Sequence, residues 1–269
     1  MPFLKLVAQN VSVEYHIART SEHFVALENV NLEINEGEFV SFLGPSGCGK
    51  TTFLNAIDGL VPVTRGEIRI DGRSVTKPGN DRAMVFQSSA LLPWRTVMGN
   101  VMYGLELQGR GNAAARQHVQ DMITLVGLEG FENRFPNELS GGMQQRVNIA
   151  RALVTDPEIL LLDEPFANLD ALTREFMQAQ LLRIWSRTRK TAIFVTHNIT
   201  EAIYLSDRVV VFTARPGKIK SIVSIDLPRP RPLEMKRQIE FLKYEDELWE
   251  LIKEEVIKSG LIPRETDLV

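Results

Sequence analysis

The stretch GPSGCGKT, Gly44 to Thr51, limits the fold of this chain more than any other. An apolar run, GEFVSFLG, leads into it, and KTTFLNAIDGL leads out with its apolar residues at helical spacing. A strand that turns through glycines directly into a helix is the opening of an α/β unit. The stretch also fits G-x-x-x-x-G-K-[ST], and it sits where that pattern has a physical meaning, after a strand and before a helix. Across Gly44, Pro45, Ser46, Gly47, Cys48 and Gly49 the glycines let successive backbone N–H groups turn inward around a phosphate, and the helix N-terminus adds its dipole. Lys50 then reaches β and γ oxygens of a nucleotide, and Thr51, with Thr52 beside it in the first helical turn, is expected to hold Mg²⁺.

Around this loop the periodicity changes twice. LKLVAQNVSVEY, FVALENVNLEI and GEIRIDG read as strands, the last closing on an Asp-Gly turn. A short strand, RAMVFQ, follows; from Ser88 to Pro157 the pattern is helical, and a helical insertion of about 88–157 is expected. Strands EILLLD and TAIFVTH then alternate with helices, and RVVVFTA and IKSIVSIDL complete the set, so the core is expected to be α/β with a mostly parallel sheet. DLPRPRP should run extended as a hinge, separating residues 1–228 from a C-terminal helical extension, 229–269. That tail is expected to be one amphipathic helix or two, packed on its own domain or a sister chain rather than on a membrane, because its polar face is as acidic as it is basic.

Bulk properties remove several function classes. With 31 Lys and Arg against 34 Asp and Glu the formal charge is −3, so the basic footprint of a nucleic-acid binder is missing from the balance, and no nucleic-acid partner is expected. No apolar run approaches the roughly 18 to 20 residues that span a bilayer, and the first residues alternate like a strand rather than a secretion signal. A cytosolic chain is expected. The single cysteine, Cys48, agrees with a reducing compartment; a tolerated small residue explains it better than redox chemistry, although a helix N-terminus would lower its pKa.

Candidate catalytic residues end the apolar strands. In EILLLDE, Asp163 is expected beside the Mg²⁺ and Glu164, one residue on, is placed to orient or deprotonate an attacking water. Gln87 ends RAMVFQ and His197 ends TAIFVTH, on what should be the same sheet edge, where each could reach a γ-phosphate. A plain turn residue after a strand accounts for either on the sequence alone.

LSGGMQQR, Leu139 to Arg146, raises a separate question, since its two glycines open a helix but no lysine follows. Ser140 with the amides of Gly141 and Gly142 still makes an anion site, one that needs a phosphate from elsewhere. This stretch resembles the signature of ATP-binding cassette (ABC) ATPases. The family's other motifs appear in order: Gly44–Thr51 is similar to its Walker A, Gln87 to the Q-loop, Glu158 to Glu164 to Walker B with the catalytic glutamate, Asn168-Leu169-Asp170 to the D-loop, and His197 to the switch histidine.

The resemblance implies a P-loop NTPase (RecA-like) core with an N-terminal antiparallel β subdomain and an inserted helical subdomain. It further implies ATP and Mg²⁺, held by Thr51, Gln87 and Asp163, and a homodimer in which Ser140, Gly141, Gly142, Gln145 and Asp170 face the partner's nucleotide. Tyr15 is similar to the adenine-stacking aromatic, with Phe24 as a rival, and Asn198 stands where many relatives have Asp. ALLPWRTVMGNV, DEPFANLDALTR, ARPGKI and IDLPRPR resemble the nitrate, sulfonate and taurine importer branch. That branch implies separate membrane permeases, docked against the LLPW segment, an extracytoplasmic solute-binding protein and a place on the cytoplasmic face of the inner membrane. LLPW as local core packing stays open, and so do a non-transport cassette acting on nucleic acid or ribosomes and a P-loop kinase or GTPase.

Overall fold

The computed structural model of the chain describes residues 3–17 and 22–259; part of HIARTSEHF and the end of the tail lie outside them. In chain order the elements are β1 (Leu4–Ile17), β2 (Glu22–Asn35), β3 (Phe39–Leu43), α1 (Lys50–Asp58), β4 (Arg65–Ile70), β5 (Arg73–Ser74) and β6 (Arg82–Val85). Then come α2 (Val97–Leu107), α3 (Ala113–Leu125), α4 (Gly141–Leu153), β7 (Ile159–Asp163) and α5 (Ala171–Thr188). The chain ends with β8 (Thr191–Thr196), α6 (Ile199–Leu205), β9 (Arg208–Phe212), β10 (Ile219–Ser224) and α7 (Ile239–Lys258). The fold is α/β, in two units: Met1–Gly79 with Thr191–Val269, and Asn80–Lys190.

The first unit holds an antiparallel sheet ordered β2-β1-β4-β5. Its last hairpin turns at Asp71 and Gly72, both at positive φ (48° and 73°), the backbone that an Asp-Gly pair adopts most readily. In the same unit β3 pairs in parallel with β8 on one side and β9 on the other, and β10 runs antiparallel to β9. Every residue of β3 and β8 is buried, which explains why these strands read as continuous apolar runs rather than alternating ones. Phe42 of β3, Phe53 of α1 and Phe212 of β9 meet with ring centroids 5.3 to 6.1 Å apart. Burial of each ring contributes about 1.5–3 kcal/mol, and the cluster fixes where α1 begins relative to the end of β3.

The described part of the tail packs on its own unit, one of the two placements that the sequence left open. Helix α7 buries Phe241, Leu248, Ile252 and Glu255, a single stripe at helical spacing, and it contacts α6 and β9. The proline-rich segment before it is tied down. Arg231, 4% exposed, donates to the carbonyls of Ile203, Tyr204, Ser206, Ile225 and Leu227, and Tyr204 Oη donates back to Arg231 O. Burial first, and then nearby Arg229, bring the Arg231 guanidinium down to about 10, still charged at neutral pH, where it caps the carbonyl end of α6.

In the second unit β6 and β7 run parallel with Val85 opposite Leu162. Thr96, Asn112, Ser140 and Asp170 cap α2, α3, α4 and α5, each side chain accepting from a backbone N–H in the first turn. Helix α2 packs on α3 and α4. Its fully buried Asn100 donates to Leu92 O, Arg95 O and Thr96 O and accepts from Leu92 N, which pins the LLPW segment to the helix. Among the described residues no helix is long and apolar enough to cross a membrane.

Candidate functional site

In the first unit the loop and the histidine share an edge. Leu43 lies opposite Thr196, so Gly44 and His197 each leave the carboxyl end of parallel β3 and β8 one residue later. Helix α1 starts at Lys50 after Gly49 (φ 106°), and no side chain caps it. The starts of α2, α3, α4 and α5 are closed by Thr, Asn, Ser and Asp; this one, at the end of a glycine loop, leaves its first amides for a ligand. Lys50, 4% exposed, lies across the loop and donates to Gly44 O at 2.7 Å and Pro45 O at 2.9 Å. A Cβ at Gly49 would stand 2.7 Å from Ala26 O, so that position admits glycine for space as well as for φ.

Cys48 is buried beside Lys50. Burial pushes its thiol above the usual range, against the opposing pull of the Lys50 charge. The lowered pKa expected at a helix N-terminus is therefore reversed, and a neutral packing thiol remains.

His197 itself is exposed, but both neighbours are clamped. Thr196 Oγ1 donates to Glu201 Oε2 at 2.6 Å, while the Asn198 side chain caps α6 by accepting from Glu201 N at 3.0 Å. An Asp would accept the same bond, so the family departure at 198 leaves this cap intact.

Tyr15 and Phe24 are cross-strand partners on β1 and β2, hence on one face of the sheet. The Arg215 guanidinium sits 5.0 Å over the Phe24 ring, and Tyr15 is 38% exposed. Phe24, Arg215 and Glu14 border a cleft of about 510 Å³.

The second unit has an edge of the same kind. Gln87 follows Val85 of β6 by two residues, and Glu164 follows Leu162 of β7 by two, so both leave the carboxyl end of this parallel pair, with Asp163 ending β7. Gln87 is exposed; Asp163 and Glu164 are half-buried. Glu164 holds φ 42°, in the left-handed region that costs a non-glycine residue roughly 1 kcal/mol or more.

Helix α4 grips the chain on both sides of Gln87. Arg151 donates to Ser89 O and Ala90 O, Asn148 to Phe86 O, and Ser89 Oγ to Gln144 Oε1. Sequence reasoning read Asn148 and Arg151 only as parts of a helix, and Gln144 only as part of the LSGGMQQR stretch. Their spacing, 144, 148 and 151, does mark one polar stripe, but nothing local says what the stripe meets.

At the start of α4, Ser140 is exposed and accepts from Met143 N at 3.3 Å. A Cβ at Gly142 would come within 2.8 Å of Thr173 Cγ2, which places the α4 start against α5. Asp170, exposed at the cap of α5, accepts from Thr173 N; bonds from the Thr173 side chain and backbone hold its carboxyl below the usual range. Gln145 is 3% exposed, and its Nε2 has no hydrogen-bond partner among the described residues. It shares the inner face of α4 with Gly142 and Ile149, three and four residues away.

Residues 27–167 match the ABC transporter family. An uncharacterised ABC transporter ATP-binding protein of Methanocaldococcus jannaschii is 56% identical over 234 residues, 87% of this chain and 86% of that one. The aliphatic sulfonates import ATP-binding protein SsuB of Bacillus cereus is 47% identical over 219 residues, 81% of this chain and 86% of that one. Among solved structures, a dimeric post-hydrolysis state of an ATP-binding cassette bound to ADP and Pi superposes with a TM-score of 0.72 at 36% identity, over 83% of this chain and all of that one. With a family match over half of its length and a relative 56% identical over 87% of it, the chain belongs to the ATP-binding ABC ATPases.

Proposed function

We propose that this ATPase is the energy-supplying subunit of an importer for a small anion or organic solute of the sulfonate, taurine or nitrate kind. It works on the cytoplasmic face of the inner membrane, with separate permease subunits and an extracytoplasmic binding protein as partners. Residues 1–228 form the ATPase domain, the helical segment of about 88–157 serves the permease, and 229–269 form the extension.

Two chains pair head to tail, and each ATP lies between one chain's Gly44–Thr51 loop and the other's Ser140, Gly141 and Gly142. The exposure of Ser140 at the amide end of α4 supports this. Tyr15 carries the adenine, a role favoured by its exposed ring while Arg215 covers Phe24. Thr51, Gln87 and Asp163 offer only oxygen donors, the set a hard cation such as Mg²⁺ prefers, and Mg²⁺ bound there neutralises charge on the phosphates. Glu164 accepts a proton from the attacking water, and His197 donates a hydrogen bond to the γ-phosphate.

The observation that carries the importer reading is on the second unit. Trp94 of the LLPW segment is 71% exposed beside a cleft of about 690 Å³ bordered by Pro93, Arg134 and Phe135. An apolar ring held out by a rigid, Asn100-pinned segment fits an anchor for a permease's cytoplasmic helix. The test joins two variants. Glu164→Gln should bind ATP, accumulate as a dimer and hydrolyse at a rate lower by roughly 100-fold. Trp94→Asp should keep its ATPase activity and lose co-purification with the permease subunits. Parental turnover in the first, or parental assembly in the second, removes the corresponding half of the proposal.

A further inference from the structure

We propose that Arg215 is a positioning residue of the phosphate loop, and that Glu255 of α7 positions the turn that carries Arg215, so the C-terminal helix takes part in nucleotide binding. The inference rests on the ATPase assignment and is independent of the importer reading.

Arg215 Nε donates to Gly47 O at 2.6 Å. Gly47 has φ +73°, and a Cβ there would stand 2.6 Å from Arg215 Nη2, so the guanidinium lies directly against the bare glycine. In a trans peptide the C=O and the following N–H point in opposite directions. Holding Gly47 O outward on a charged donor therefore holds the Cys48 N–H toward the loop interior, where it lies 3.3 Å from Pro45 O. The same guanidinium lies over the Phe24 ring, a second contact that restrains it.

The turn at 213–218 is itself closed. Thr213 N donates to Lys218 O, Lys218 N to Thr213 Oγ1 and Thr213 Oγ1 to Pro216 O. It touches the loop a second time at Gly217, where a Cβ would fall 2.1 Å from Cys48 O. On its far side Glu255 Oε2 accepts from Ala214 N at 2.9 Å, and Glu255 Oε1 accepts from Lys220 and Lys258, each at 3.0 Å. Glu255 is 2% exposed. A leucine would fill that space in α7 as well; a buried carboxylate aimed at one backbone N–H fixes a position instead. Helix α7 thus reaches the loop through a single residue step, Ala214 to Arg215.

The experiment measures ATPase kinetics of the full chain, binding of the fluorescent analogue TNP-ATP, and thermal unfolding without nucleotide. Arg215→Ala should raise KM for ATP and Kd for TNP-ATP by roughly tenfold. Its kcat should change by no more than about twofold, the split expected when binding rather than the transition state is disturbed. Arg215→Lys should recover part of the affinity, since it can donate to Gly47 O but lacks the planar guanidinium that also meets the Phe24 ring. Glu255→Gln should move KM and Kd in the same direction by a smaller factor. Parental KM and Kd in Arg215→Ala, a fall in kcat alone, or an Arg215→Ala chain already partly unfolded at the assay temperature would each overturn the inference. If the parent itself fails to bind TNP-ATP, the nucleotide site falls and takes this inference with it.

Discussion

Asn100 is a polar side chain with no solvent exposure whose amide is fully used. Replacing it by Ala takes the partner from Leu92 N and Arg95 O, while Leu92 O and Thr96 O keep the backbone donors Arg95 N and Asn100 N, and such orphaned groups cost about 1–3 kcal/mol each unless the segment relaxes. Asn100→Ala should lose roughly 2–4 kcal/mol in urea unfolding; a loss below about 1 kcal/mol would mean that the LLPW segment is held by something else. Residues of this kind separate what sequence reading reaches from what it does not. Gly44–Thr51, Glu164 and Ser140 were legible because their chemistry is local, a loop, a strand end and a helix cap. Asn100, Arg215 and Glu255 were not, because each matters only through backbone groups far away in sequence, and a lone Asn in VMGNVMYG or Glu in IKEEVIK has no periodic signal of its own. The left-handed backbone at Glu164 was equally invisible, since nothing in LLLDEP marks a positive φ.

At the scale of elements, the strands and helices could be read because their apolar spacing is long and regular; where the helices grip was hidden. The Arg151, Asn148 and Gln144 stripe ties α4 to the segment around Gln87. Burial keeps the Arg151 guanidinium below its ordinary pKa, yet it stays charged and satisfies two carbonyls. Arg151→Met should speed hydrogen exchange in residues 86–95 by roughly tenfold, about 1.4 kcal/mol of lost protection, with little change in α5. Unchanged exchange would show that the segment is held without α4. Helix α7 gives a pH signature. Burial works to raise the Glu255 carboxyl, but bonds from Ala214 N, Lys258 and Lys220 outweigh it, and the net direction is down. The stability contributed by the ionised group is complete above the ordinary glutamate range near pH 4.3 and is lost as pH falls through the lowered folded value. Glu255→Gln should therefore be less stable than the parent at pH 7, and the gap should narrow at pH 4 and below; a constant gap would place the effect in packing.

For the whole molecule, the proposed head-to-tail pairing makes a prediction no single chain can fake. A Lys50→Ala chain spoils the loop of one site, and a Ser140→Arg chain spoils the signature of one site. Each homodimer carries two damaged sites, while a mixed pair carries both lesions in one site and leaves the other whole. Mixing equal amounts of the two inactive proteins should restore about a quarter of parental ATPase activity, because half of the random pairs are mixed and each has one good site of two. No recovery after verified exchange of partners would refute the shared site. The charge balance bears on the same scale: at −3 the molecule has little electrostatic pull on nucleic acid, so its turnover should be indifferent to added RNA or DNA.

The exposed ring at Trp94 has a practical side. The chain has three tryptophans; Trp185 is 3% exposed and Trp249 53%, against 71% for Trp94. Emission from an indole shifts to shorter wavelength when water leaves it, so the protein carries its own optical gauge at the surface where a permease is proposed to sit. With Trp249 changed to Phe and Trp185 already buried, a blue shift on adding a tryptophan-free permease fragment would arise from position 94, and such a titration could time docking in solution.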